Sequence, residues 1–327
     1  MAVYTHLGAE ELAELIAHYD VGELVSAKGI AEGISNSNWL LETTGGGEPG
    51  KRFILTMYER RIELRDLPFF LALLDHLAGK GCPVPRTIHD RNGAAYRMIE
   101  DKAVALIEYL PGVSVDHPTP EQARSVGAAL ANNHLAIADF PDKRWNDLGL
   151  AGWDDTIHGL GTEALATIDP ALPDLLFDEL AFFAGEWPGG LPHGVVHCDL
   201  FPDNVLMLGN EVSGLIDFYF AASDQFAYDL AVTHAAWSFE RRNGDYRDDI
   251  GKALLQGYES VRPLGAAERD AMPVLARGAC MRFIASRAED WLTTPDDALV
   301  ARKDPLDFVH RLSFYAKAGG SIFADPS

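Results

Sequence analysis

An α+β chain in two parts is what the sequence predicts, β-rich to about residue 110 and helix-rich beyond it. Three observations lead there. The chain has 327 residues, a length that suits about two domains. Hydrophobic residues make up 47% and charged residues 23%, so a buried core is expected rather than disorder. The hydrophobic pattern also changes at Pro111 and Gly112: alternating runs rich in β-branched and aromatic residues precede them, and three-to-four-residue periodicity follows.

Residues 9–20 read as a helix, with Leu12, Leu15, Ile16 and Tyr19 on one face. GELVSAKGI, SNWLLETT and RFILTMY, within 22–43 and 51–58, read as strands. Gly45, Gly46 and Gly47 with Pro49 and Gly50 supply a hairpin turn between the last two. Residues 66–79 read as a helix stopped by Gly81, Pro83 and Pro85. AYRMIE and AVALIEYL, around 95–100 and 103–110, are two further strands. Past the boundary, Thr119 is placed as an N-cap, with Pro120 at the first helical position and Gln122 three residues on. Helical patterns follow at about 173–185, 226–241, 247–258, 273–292 and 305–317, and GVVH, NVLML and SGLIDF between 194 and 219 read as short strands flanking loops. A ligand is expected in the cleft between two such lobes.

Charge narrows the function. Asp and Glu number 49 against 27 Lys and Arg, a net charge of −22. A surface this acidic repels nucleic acid and anionic lipid, and the basic clusters are only pairs such as Arg60-Arg61 and Arg241-Arg242, so neither partner is expected. Cys82, Cys198 and Cys280 are too scattered for a disulfide framework or a zinc site. MAVYTHLGAEELAEL lacks the basic and apolar regions of a signal peptide, and no apolar run approaches a membrane span. A cytoplasmic location is the expectation.

VVHCDLFPDNVLM, at 195–207, carries the chemistry. His197 and Asp199 are followed by Asn204, and Asp217 comes thirteen residues later in LIDF. An acid, a carboxamide and a second acid on loops between short strands suit phosphoryl transfer: one carboxylate takes the proton of the attacking hydroxyl, while amide and carboxylate oxygens hold Mg²⁺ on nucleotide phosphates. KGIAEGISNSNWLLET, at 28–43, offers Gly29 and Gly33 for a tight turn and Asn36, Ser37 and Asn38 as donors before a strand. Such a loop can fold over a triphosphate, and an ordinary hairpin is the other reading.

The stretch 195–218 resembles the catalytic loop and the metal-binding segment of the protein-kinase superfold. On that resemblance LIEYLPG, at 106–112, corresponds to a hinge, with the Glu108 carbonyl and the Leu110 amide facing adenine. Tyr219 rather than Gly follows Asp217-Phe218, there is no room for a long activation loop, and Phe201 stands where kinases of Ser and Thr carry Lys. These departures resemble the aminoglycoside phosphotransferase-like small-molecule kinases. Within that group the chain is similar to the homoserine kinases of threonine biosynthesis, through GIAEGISNSNWLLET, RFILTMYERR, DLPFFLALLDHLAGKGCPVPR, HCDLFPDNV, GLIDFYFA and YDLAV, with RPL, RGACMRF and KDPL extending the match.

The resemblance implies a protein-kinase-like two-lobe fold. Residues 1–110 would be the nucleotide-binding lobe, with a hinge near 107–112, and 111–327 the catalytic and substrate-binding lobe. It implies Asp199 as catalytic base, His197 as the histidine that stabilises the loop, and Asn204 and Asp217 as Mg²⁺ ligands. ATP would phosphorylate the hydroxyl of L-homoserine. Asp203 is a candidate for the substrate ammonium. Arg277, Arg282 and Arg287 are candidates for its carboxylate, and Trp237 for the pocket wall. Choline or ethanolamine, methylthioribose, hydroxylysine and aminoglycosides remain open as acceptors, as does an inactive kinase-like binding protein. Thr56 occupies the slot of the third-strand lysine: either another cation serves, with Lys28, Arg52, Arg60 and Arg61 nearby, or backbone amides and Mg²⁺ suffice, and Glu63 or Asp75 is the possible partner acid. Oligomeric state is not legible.

Overall fold

The computed structural model describes residues 7–30, 36–45, 51–59, 63–242, 244–294 and 302–324. They form two compact units, Met1–Pro111 and Gly112–Ser327.

The N-terminal unit contains α1 (Ala9–Ile16), β1 (Leu24–Ile30), β2 (Asn36–Thr43), β3 (Lys51–Tyr58), α2 (Leu67–Gly79), β4 (Thr87–Ile88), β5 (Arg97–Ile99) and β6 (Lys102–Glu108). The sheet order is β1-β2-β3-β6-β4, with β5 pairing β6, and every pairing is antiparallel. Alternation decides which residues go inside. Trp39 and Leu41 of β2, Phe53, Leu55 and Met57 of β3, and Val104 and Leu106 of β6 form one core with Leu12, Leu15 and Ile16 of α1. Thr56 falls on the opposite face, in register with Asn38 and Ala105. Most of the glycine-rich hairpin turn, residues 46–50, lies outside the described residues, but the register of its flanking strands, Thr43 with Lys51 through Asn36 with Tyr58, is continuous.

The C-terminal unit contains α3 (Pro120–Ala136), α4 (Leu150–Ile168), α5 (Leu172–Glu186), β7 (His193–Val196), β8 (Val205–Leu208), β9 (Glu211–Leu215), β10 (Ala222–Gln225), α6 (Phe226–Trp237), α7 (Asp248–Glu259), α8 (Ala266–Thr293) and α9 (Leu306–Ala318). The Thr119 cap forms in both directions: its hydroxyl accepts from the Gln122 N–H at 3.3 Å, and its own N–H donates to Gln122 Oε1 at 3.0 Å. Two short antiparallel pairs, β7 with β10 and β8 with β9, flank the segment 197–204.

Helices α4, α8 and α6 differ from the sequence expectation, and the short strands β4 and β10 go beyond it. Helix α4 carries Gly152, Gly159 and Gly161, which weaken its helical signal, and Gly161 is non-helical at φ 76°. Helix α8 begins at Ala266 rather than at Pro273, because the Gly265 N–H donates to the Glu268 carboxylate at 3.0 Å and starts the helix a turn and more earlier. Helix α6 stops at Trp237 instead of reaching 241, since Phe239 pairs with Tyr246 as an isolated bridge. No helix among the described residues is long and apolar enough to cross a membrane.

Candidate active site

The segment between β7 and β8 is held from below by one buried carboxylate. Asp229, in the first turn of α6 and fully buried, accepts the N–H of His197 on Oδ2 at 2.8 Å and the N–H of Cys198 on Oδ1 at 2.7 Å. His134 of α3 approaches the same Oδ2 at 3.0 Å through Nε2, and its Nδ1 meets the Tyr258 hydroxyl of α7 at 2.8 Å. Burial works to raise the Asp229 pKa, but the hydrogen bond and charge of His134, with His197, bring it below the ordinary carboxylate value. Cys198 has φ 62° and Asp217 φ 65°, left-handed values that a non-glycine residue rarely adopts. The strain at Cys198 is sustained because both N–H groups around it are tied to Asp229.

His197 is a structural member of this segment. The Asp199 N–H donates to its Nδ1 at 3.2 Å, so Nε2 carries the proton and gives it to the Ile216 carbonyl at 3.0 Å. The ring thereby fastens Asp199 to the residue before Asp217. Burial lowers its basicity and keeps it neutral.

Asp199 and Asn204 come together: the Asn204 amide donates to the Asp199 carbonyl at 2.8 Å and to Asp199 Oδ2 at 3.2 Å. Burial raises the Asp199 pKa, and the nearby Arg282 guanidinium, with Nη1 3.7 Å from Oδ1, opposes that rise. Asp217 is pushed up to about 7, first by burial and then by the charge of Asp199. Two neighbouring carboxylates that resist sharing negative charge, Asp199 half-buried and Asp217 open to solvent, beside a carboxamide, are a donor set that suits a hard divalent cation. Among the described residues no three or more His, Cys, Asp or Glu side chains could hold a metal by themselves, so phosphate oxygens would complete such a shell.

The arginine candidates separate. Arg277 is bidentate to Glu179 of α5, at 2.6 and 3.1 Å, with its guanidinium 3.6 Å from the Phe182 ring centroid. Arg287 donates to the Asp304 carbonyl at 2.9 Å and to Asp307 at 3.2 Å, so it fastens the turn before α9. Arg282 is 2% exposed, yet its Nε and Nη1 have no hydrogen-bond partner. A buried guanidinium with free donors beside Asp199 suits a small anionic group.

Two candidates are used elsewhere. Trp237 is a core residue, not a pocket wall: it is 1% exposed and its indole N–H donates to the Leu200 carbonyl at 2.9 Å, behind the Asp199 segment. Asp203 is solvent-facing and pairs with Arg241 at 3.2 Å.

In the N-terminal unit, Gly33 lies outside the described residues. Asn36, Ser37 and Asn38 do not precede a strand; they open β2. The Ser37 hydroxyl donates to Glu59 at 2.7 Å, and Asn38 Oδ1 accepts the Thr56 hydroxyl at 2.9 Å. Buried Asn36 leaves Oδ1 without a partner. Thr56 is thus satisfied locally and brings no cation. Asp75 accepts from the Thr87 N–H at 3.0 Å and meets His89 at 2.6 Å, Glu63 pairs with Arg65, and Arg52 pairs with Glu42. Arg60 and Arg61 lie outside the described residues. Sequence reasoning missed the ion pair of Lys102 with Glu59, at 2.5 Å, on the neighbouring strand ends. The Glu108 N–H is bonded to the Arg86 carbonyl at 2.9 Å, and the Leu110 N–H has no partner among the described residues.

A family model described as the phosphotransferase enzyme family matches residues 26–264. The chain belongs to that family. A homoserine kinase of Xanthobacter autotrophicus is 47% identical over 96% of this chain and 96% of its own. Homoserine kinases of Allorhizobium ampelinum, at 48% over 96% of each chain, and Acidiphilium cryptum, at 47% over 98% of each, are similarly related. Among solved structures, a spectinomycin phosphotransferase in complex with ADP and spectinomycin superposes with a TM-score of 0.67 at 15% identity, covering 98% of this chain and 99% of that one. An amicoumacin kinase superposes at 0.66 with 16% identity, over 96% and 94%. At such identity these share the fold alone, which for this phosphotransferase is the α+β, protein-kinase-like one.

Proposed function

We propose that this phosphotransferase transfers the γ-phosphoryl group of ATP to the hydroxyl of L-homoserine, giving ADP and O-phospho-L-homoserine. The acceptor assignment is supported by relatives named homoserine kinase at 47–48% identity over nearly the whole chain. One observation supports the chemistry above the others: Asp199 is half-buried, aligned by Asn204 and seated on a backbone locked by Asp229.

In this reading the homoserine oxygen attacks the γ-phosphorus, Asp199 accepts the hydroxyl proton, and the bond from the γ-phosphorus to the ADP oxygen breaks. Asn204 and Asp217 would hold Mg²⁺, whose charge offsets that of the phosphates. Arg282 would receive the substrate carboxylate through its free donors. Residues 1–110 form the nucleotide-binding part in this proposal, with adenine on the Glu108 carbonyl and Leu110 amide of the hinge near 107–112, and 111–327 the catalytic and substrate-binding part. Placement in threonine biosynthesis and in the cytoplasm belongs to the same proposal.

A coupled ADP-release assay over a panel of hydroxyl compounds with Mg-ATP tests the acceptor. L-homoserine should be turned over, and preferred to choline, ethanolamine and aminoglycosides; no turnover of L-homoserine beside clear turnover of another compound would sink the assignment. Asp199→Ala should abolish turnover while ADP binding stays within about threefold, as expected for a group that acts on the acceptor hydroxyl.

A further inference from the structure

The transferring phosphoryl group carries negative charge on three oxygens, and kinases meet it with cations as well as metal. Two positions where protein kinases carry lysine hold Thr56 and Phe201 here. Neither position can supply that cation. Besides His197, two basic residues act on Asp199, namely Arg282 and Lys303, and of these Lys303 acts on Asp217 as well. Arg282 is enclosed, its guanidinium 4.6 Å from the Phe283 ring and 5.5 Å from that of Phe220. Lys303 is exposed, with its ammonium 5.7 Å from the Phe201 ring centroid.

The turn that carries Lys303 is built to stay in place. Arg287 of α8 grips the Asp304 carbonyl and the Asp307 carboxylate, and the Leu306 N–H donates to Asp304 Oδ1 at 2.8 Å. Arg287 also lies 4.6 Å over the Phe308 ring. Phe201 meets Phe283 edge-on at 4.9 Å and Phe308 at 6.1 Å, so the same aromatic group seats both the catalytic segment and the start of α9.

Resting on the phosphoryl-transfer reading above, we propose that Lys303 is the cation for the transferring phosphoryl group, supplied from the turn before α9 instead of from the catalytic loop. Lys303 forms and breaks no bond. As the acceptor oxygen bonds to the γ-phosphorus and the bond to ADP breaks, the proton goes to Asp199 and the ammonium opposes the charge on the phosphoryl oxygens. The Phe201 ring, two residues after Asp199, attracts the ammonium toward its face and so holds it near the Asp199 segment. Arg287 is then a positioning residue for Lys303.

The test uses the full chain with Lys303→Ala and Lys303→Arg. It measures kcat, KM for ATP and for acceptor, melting temperature, and binding of Mg-ADP with aluminium fluoride in the presence of L-homoserine. The expected result for Lys303→Ala is a loss in kcat of about 10²-fold or more, by analogy with removal of one electrostatic donor. The acceptor KM should stay within about threefold, and the fluoroaluminate complex should weaken at least about tenfold while ADP alone binds as before. Lys303→Arg should recover about tenfold of the lost kcat. The proposal is overturned by a kcat within about threefold of wild type. It is equally overturned by an acceptor KM raised about tenfold at unchanged kcat, which would make Lys303 a carboxylate anchor. A fall in melting temperature with parallel loss of ADP binding, which would make it structural, also overturns it. Failure of the homoserine assignment is separate: it appears in the wild type, and the variants are then compared on whichever acceptor is turned over, or by the fluoroaluminate complex alone.

Discussion

Asp229→Asn tests how the catalytic segment is held. The carboxylate receives three donors: the N–H groups of His197 and Cys198, and His134 Nε2. An amide keeps one acceptor oxygen and turns an NH₂ toward the other donors, so at least one buried N–H loses its partner. A hydrogen bond to a charged group contributes about 1.5–3 kcal/mol, and an orphaned buried donor costs about 1–3 kcal/mol. The loss should therefore be about 3 kcal/mol. For a unit of roughly 200 residues this corresponds to about 6–12 °C in melting temperature. Release of Cys198 from its left-handed conformation should also let Asp199 drift, and a misplacement of about 1 Å can reduce turnover about 10²-fold. Thermal unfolding and steady-state kinetics at neutral pH read both effects. The pH dependence adds a sign. Asp229 has its folded-state value below the ordinary 3.8, so its stabilisation is present above that pH and is lost as pH falls through the folded value. The gap between wild type and variant should thus narrow under acid. A variant that melts within about 1 °C of wild type and keeps its turnover would refute the claim that Asp229 locks the segment.

Asp217 titrates in the opposite sense. Its folded-state value of about 7 lies above the ordinary 3.8, so between these the unfolded chain is ionised and the folded one is not, and this group's contribution to stability falls as pH rises through that window. A metal bound there displaces a proton, so Mg²⁺-dependent tightening of ADP should improve with pH up to about 7, and Asp217→Asn should flatten the profile; an unchanged profile in the variant would contradict the metal role. At the α3–α7 crossing, a Cβ on Gly127 would collide with the Leu254 carbonyl and one on Gly257 with the Arg124 carbonyl. Gly127→Ala should lower stability by about 1–3 kcal/mol despite the gain in helix propensity, and an unshifted urea midpoint would show that the helices can separate freely.

What the sequence displayed was short-range. His197, Asp199 and Asn204 lie within one loop, and Asp217 follows just past the β8–β9 hairpin, so spacing alone grouped them. The antiparallel register of β2 and β3 and the cap at Thr119 likewise depend on neighbours in the chain. The rest depended on contacts that spacing does not encode. Asp229 reaches Cys198 across 31 positions, and nothing about YDLAV says which backbone groups it receives. The three arginines of α8 looked alike until Glu179 claimed one, Asp304 and Asp307 another, and the third was left buried with open donors. Trp237 looked available because a helix can show an aromatic residue to a ligand or to its own core, and only packing decides between them. Lys303 follows the same rule: its segment is distant in sequence, and the Phe201 ring beneath it is what reveals its place.

The thiol next to Asp199 has a practical side. Cys198 and Cys280 are buried, and burial pushes both thiols up, Cys198 well above the usual range. A thiol that stays protonated and enclosed reacts slowly with maleimides and iodoacetamides. Cys82, just past α2, is the half-buried third. Burial raises the Cys82 thiol too, but its partial exposure makes it the most accessible attachment point of the three for a fluorophore or spin label, set in the N-terminal unit. A label there tests whether nucleotide reaches that unit, as proposed, while the thiol beside Asp199 stays enclosed.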